Sequence, residues 1–142
     1  MLALHQGLGA KRSAKTILWE EDYIDEFLSI VHEYQDTLLA ILAGHTHRDT
    51  FTLVYKDGTF DKDVNPMAIQ LIPGSISPKE TNNPSYRIME LSDSNLLTDY
   101  TQFIYNMDTA NWEKSHSFVE ETGENPTPKG YLQVYENMED GI

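Results

Sequence analysis

A mixed α/β fold is predicted for this chain, from the order of three features. A short apolar run, MLALH at 1–5, is followed by a helical stripe and then by a second apolar run, TLLAILAG at 37–44. Strand, helix and strand in that order make the βαβ unit of a parallel sheet. From residue 50 onward the pattern changes to several strand-like segments in succession, which suits antiparallel neighbours. The result is a mixed sheet with a flanking helix.

The elements follow in order. MLALH is a short buried strand ending at His5, and QGLGAKRSAK after it is a glycine-containing polar loop. Over residues 18–34, Ile24, Phe27, Leu28 and Val31 recur at three- and four-residue spacing, the mark of an amphipathic helix. Glu20, Glu21 and Asp22 stand near its start, where the helix dipole favours negative charge. TLLAILAG has the continuous apolar character of a strand covered on both faces. TFTLVY alternates and ends at the turn signal KDG, and MAIQLIPG is another strand. SPKETNNPS is a loop by composition, while YRIMEL and TDYTQFIYNM form a hairpin across SDSNLL. Beyond Asp108 the pattern weakens. TANWEKSHSFVEE is expected as a short helix, TGENPTPKG as a loop, and YLQVYENM as a strand or a helix.

Length and charge narrow the function. The 142 residues suffice for one domain with a core. No apolar run approaches the ~20 residues of a membrane span. The first residues put their charge after the apolar part, the reverse of a signal peptide. A formal net charge of −13 argues against nucleic acid, whose binding requires Lys and Arg to neutralise phosphates. With no cysteine, thiolate chemistry is excluded, and a transition metal would have to sit on His, Asp, Glu or Asn. The sequons at Asn83 and Asn125 both carry proline in the middle position and are not usable for glycosylation.

The chemistry concentrates in ILAGHTHRDTF, residues 41–51. His45 and His47, two residues apart, follow an apolar strand and Gly44. In an extended segment they would point to one side, about 6–7 Å apart, too far to chelate one ion and well placed to serve two. Gly44 would let the backbone turn and a ligand approach. His5 ends another predicted strand, so parallel pairing would bring it to the same rim, where ligands of open α/β sheets gather. A bare His-x-His is most often a pair of ordinary loop histidines, and the buried strand before it together with a third histidine at a second strand end lifts the reading toward metal. His32, inside the helical stripe, and His116, in the weakly patterned tail, are given no ligand role. The acidic runs EEDYIDE and ENMED are solvated faces, since neither has the spacing of a calcium loop.

GHTHRDTF resembles the last signature motif, Gly-His-x-His, of the calcineurin-like metallophosphoesterases. Taken with LALHQGLG before it and NNPSYRIMEL and LTDYTQFIYNM after it, residues 1–107 are similar to the carboxyl-terminal half of the acid sphingomyelinase-like phosphodiesterases. The resemblance implies the C-terminal half of a metallophosphoesterase-type α/β sandwich, with residues 108–142 as a partly helical tail. It implies a phosphodiesterase acting on a lipid or nucleotide through two divalent ions, zinc by preference, that share a bridging Asp. His5 and His45 would hold one ion and His47 the other, although the prolines that usually follow the first of these histidines are replaced here by QGLG. Arg48 and Asp49 would shape the cleft, and Asn82, Asn83 and Tyr86 would lie near its rim.

The family's Asp-x-His, Gly-Asp and Asn-His motifs do not occur in these 142 residues. The chain therefore resembles half of a binuclear site. It is expected to be inactive alone, to bind zinc weakly or not at all, and to seek the missing amino-terminal half or to self-associate. The alternative is a non-catalytic binding or scaffold domain of the same fold.

Overall fold

The computed structural model describes residues 1–11 and 16–139. Its elements run β1 (Leu2–Ala3), β2 (Ala10–Lys11), β3 (Thr16–Ile17), α1 (Glu21–Tyr34), β4 (Ile41–Leu42), β5 (Thr50–Val54), β6 (Ala68–Ile72), β7 (Ser85–Leu91), β8 (Leu97–Asn106), β9 (Asn111–Ser117), α2 (Phe118–Thr122) and α3 (Pro128–Glu139). A single 3-10 turn, Lys79–Thr81, lies in the loop before β7.

Four strands form a mixed sheet in the order β1-β4-β6-β5. β1 and β6 are both parallel to β4, and β5 is antiparallel to β6. All five residues of β6 are buried, as a strand covered on both faces requires. On one face lies α1, whose Leu28 and Val31 pack with Leu8, Ile41, Val54 and Ala68. On the other face, Ile69 and Leu71 meet Leu97 and Tyr100 of β8, Phe118 of α2 and Tyr131 of α3. Burying each such large apolar side chain contributes about 1.5–3 kcal/mol. The mixed α/β class with its flanking helix is the one predicted, and the layering suits half of an α/β sandwich. Among the described residues no helix is long and apolar enough to cross a membrane.

The structure corrects several local expectations. The loop at 6–15 contains half of a small hairpin, β2 against β3; its residues 12–15 lie outside the described residues, as does Asp140 of the acidic run ENMED. The strand expected over TLLAILAG is limited to Ile41–Leu42, because Thr37 and Leu38 donate back to Tyr34 and Gln35 in closing the end of α1. The expected helix over TANWEKSHSFVEE is mostly strand. β9 continues the β7–β8 hairpin into a three-stranded antiparallel sheet, and only Phe118–Thr122 turns helical. Trp112 meets Tyr105 of β8 and Tyr86 of β7 edge-on, at centroid distances of 5.4 and 4.9 Å. These cross-strand contacts override the weak local pattern. YLQVYENM, left open between strand and helix, lies in α3.

The start of α2 is organised by Asp99. Its carboxylate accepts from the Ser117 hydroxyl at 2.6 Å and from the Tyr100 and Val119 amides at 2.7 and 3.1 Å. Burial pushes the Asp99 carboxyl up, but these hydrogen bonds, with Lys114 nearby, outweigh it and hold the carboxyl below its usual value.

Candidate functional site

Parallel pairing aligns the carboxyl ends of β1, β4 and β6 on one rim. The register Leu2↔Ile41 and Ala3↔Leu42 continues past the strands, with Leu4 N–H donating to Leu42 O at 2.8 Å and Gly44 N–H to His5 O at 2.9 Å. That continuation sets His5 beside the Gly44–His45 step. The result is a close pair of exposed imidazoles: His5 Nε2 and His45 Nδ1 are 3.3 Å apart, with ring centroids at 5.3 Å and planes at 85°. Forty residues separate them in sequence.

The backbone after Gly44 is not extended. His45 and His47 both have left-handed φ, 71° and 60°, and Gly44 does not. Thr46 N–H donates to Gly44 O at 2.9 Å, closing a three-residue turn around His45. The expectation that His45 and His47 share one side because the strand continues is thus corrected, as is the expectation that Gly44 supplies the turn. Left-handed conformation costs a non-glycine residue about 1–3 kcal/mol, and such strain persists where the surroundings impose it. Here they do. Asn82 Nδ2 donates to His47 O at 2.9 Å, tying the NNPS loop to the histidine turn. His47 Nδ1 and Thr46 Oγ1 are buried, and among the described residues neither finds a hydrogen-bond partner.

A second brace lies just beyond. Arg87 Nη2 reaches both Asp49 oxygens at 2.7 Å, its Nε donates to Gln102 Oε1 at 2.9 Å, and its guanidinium sits 3.8 Å from the centre of the Tyr100 ring. The Arg87 side chain is only 5% exposed, so this pair is nearly desolvated on the arginine side. Asp49 is therefore engaged in fixing the entry to β5 against β7.

The loop after His5 is held from below by a residue that the sequence reading passed over. Gln70, fully buried in β6, accepts from Leu8 N–H at 2.8 Å and donates to Leu8 O at 3.0 Å and to Thr52 Oγ1 at 3.2 Å. The approach is so close that a Cβ on Gly7 would lie 2.4 Å from Gln70 Oε1. The signal was present as one polar residue inside the apolar run AIQLI.

Chemically, the close imidazole pair is suited to a cation. Zinc–nitrogen bonds of about 2.0–2.1 Å put two nitrogens of a tetrahedral ion about 3.3–3.4 Å apart, which matches the observed separation. Two ligands are half of a closed site: among the described residues no three or more His, Asp or Glu side chains converge as a metal-holding group. His47 stands apart from the pair in this respect. Of the other rim residues, Tyr86 and Gly44 line a cavity of about 460 Å³ together with Ala3, Leu4, Pro73 and Met89. Asn83 is exposed, as are Arg48 and Asp49.

Comparison with known proteins gives a consistent direction. Over 79 residues, 53% of this chain, it is 37% identical to sphingomyelin phosphodiesterase B of Dictyostelium discoideum. It is 30% identical over 90 residues, 60% of the chain, to the sphingomyelin phosphodiesterase of Homo sapiens. It is 29% identical over 96 residues, 63% of the chain, to the cyclic GMP-AMP phosphodiesterase SMPDL3A of Mus musculus. The matched stretches span only 12%, 14% and 20% of those proteins. No family model matches the chain. The relatives are thus sphingomyelin and cyclic GMP-AMP phosphodiesterases, hydrolases of phosphodiesters.

Proposed function

We propose that this chain is the carboxyl-terminal part of a binuclear metal-dependent phosphodiesterase acting on a lipid or nucleotide phosphodiester. The observation that carries the reading is the 3.3 Å approach of His5 Nε2 to His45 Nδ1 at the ends of two parallel strands. His5 and His45 hold one ion, zinc by preference for imidazole nitrogen, and His47 contributes to a second. When bound, such ions neutralise phosphate charge and make a water acidic enough to attack near neutral pH. The chain's own part is to fix the ligands. The parallel register sets His5 against His45, Gln70 anchors the loop beyond His5, and Asn82 braces the turn that carries His47. The relatives' names, sphingomyelin and cyclic GMP-AMP phosphodiesterase, support the phosphodiester substrate class.

The chain alone is half of this machinery, since the sequence has no Asp-x-His, Gly-Asp or Asn-His to supply the remaining ligands. Its partner is the remainder of the domain, which meets the open side of β1. Among the described residues β1 pairs only with β4, and the apolar cavity beside it is lined by Ala3, Leu4, Leu42 and Leu71. Without that remainder the surface favours self-association. Light scattering at high concentration checks this, and a clean monomer with a cooperative melt contradicts it.

A second reading, a non-catalytic binding or scaffold domain of the same fold, is favoured by the convergence of only two ligands. Turnover of bis-p-nitrophenyl phosphate by the purified chain with zinc tests the half-site account. No useful rate is expected. Metal-dependent turnover abolished by His45→Ala would contradict the half-site account.

A further inference from the structure

Helix α1 is apolar over a wider arc than the sheet covers. Its inner face, Ile24, Leu28 and Val31, packs in the core. Along one flank, Tyr23, Phe27, Ile30 and Tyr34 follow at spacings of four, three and four residues, the seam of a helix that expects another helix. Phe27 is half-buried, but Tyr23, Ile30 and Tyr34 are 64%, 49% and 56% exposed. The flank is already shaped as a groove of about 490 Å³, walled by Leu18, Trp19, Tyr23, Phe27 and Ile30. Its far wall is fixed: Trp19 donates through Nε1 to Gln6 O at 3.2 Å and meets Phe27 edge-on at 5.1 Å.

Among the described residues that line the groove, the charge is of one sign. Residues 20–36 hold seven carboxylates and no Lys or Arg, and Glu20 and Glu26 stand at the groove itself. This selects the occupant. A second copy presenting the same face would bring two acidic rims together, which like-charge repulsion disfavours. An anionic membrane is repelled for the same reason.

We infer that the α1 flank is a docking surface for a Lys- and Arg-rimmed amphipathic helix of a partner chain. Its apolar side chains at i, i+3 or i+4 and i+7 enter the groove between Trp19 and Ile30, and its cations meet the carboxylate rim. The surface goes beyond the proposed metal chemistry. Its lining includes none of His5, His45 and His47, so its failure leaves that reading untouched.

The test uses the full chain and a fluorescent peptide of about 18 residues, long enough to be helical, with a Leu seam and Lys elsewhere. A second peptide carries Glu in place of every Lys. Anisotropy titration is expected to show binding of the Lys peptide, weakened at least about tenfold by Ile30→Asp and strongly by raised salt, with no binding of the Glu peptide. Tyr23→Ser provides an independent variant, and both substituted side chains are exposed enough to leave the melt unchanged. Equal binding of the two peptides, or indifference to both substitutions, overturns the inference. So does self-association, or binding to zwitterionic vesicles, that the same substitutions abolish in place of peptide binding.

Discussion

Replacing Gln70 with Leu should loosen the loop that follows His5. The substitution nearly conserves volume, so packing changes little. It removes three hydrogen bonds, two of them to the backbone N–H and C=O of Leu8. Gln70 is wholly buried and Leu8 nearly so, which leaves water little access to the orphaned groups. Each unsatisfied buried backbone group costs about 1–3 kcal/mol. Part of that is offset by the added apolar burial, for a net loss of about 2–4 kcal/mol. In a chain of this size each kcal/mol moves the melting temperature by about 3–4 °C, so the midpoint should fall by about 6–16 °C. Circular dichroism melts give the midpoint, and hydrogen exchange at the Leu8 amide gives the local effect, which should exceed that at β8 amides. A variant that melts within about 2 °C of the parent, with Leu8 protection retained, would refute the clamp.

Asp49→Asn breaks the bidentate pair with a nearly buried arginine. Because the Asp49 carboxylate is exposed to solvent and Arg87 keeps Gln102 and the Tyr100 face, the loss should be only about 1–2 kcal/mol, as read by urea unfolding. Asp99 has a folded-state pKa below its unfolded value, so its contribution is complete above about pH 4 and is lost as pH falls through the lower folded value. Asp99→Asn should therefore lower stability at neutral pH by about 1 kcal/mol through the damaged α2 start and should flatten the acid limb of a stability–pH profile. An unchanged acid limb would contradict that assignment.

Much of the fold was legible because strand and helix periods are local properties. The apolar runs at 41–43 and 67–72 were legible as strands, and the spacing of Ile24, Phe27, Leu28 and Val31 marked α1, but the parallel pairing of β6 with β4 departs from the antiparallel succession expected from residue 50 onward. The meeting of His5 with His45 followed from two strand ends and the assumption of parallel pairing. What escaped was set by partners distant in sequence. NWEKSHS has no apolar alternation of its own, and it is a strand because β8 offers a long edge and Trp112 packs across two strands. The Arg87–Asp49 brace joins residues 38 apart, and nothing local announces it. The left-handed φ at His45 and His47 is uncommon for any residue but glycine, so the sequence pointed instead to Gly44.

In the proposed site His5 and His45 share one ion, and His47 serves the other. Zinc titration calorimetry on the chain and on His5→Ala, His45→Ala and His47→Ala, at about pH 7.5 and about pH 5.5, tests it most directly. Neutral imidazole is the ligand, so protons compete with zinc and acid weakens binding. One weak zinc is predicted at the higher pH, fading at the lower, lost on substituting His5 or His45 and nearly unaffected by His47→Ala. Tight binding of two ions, or binding indifferent to His5 and His45, would contradict the account.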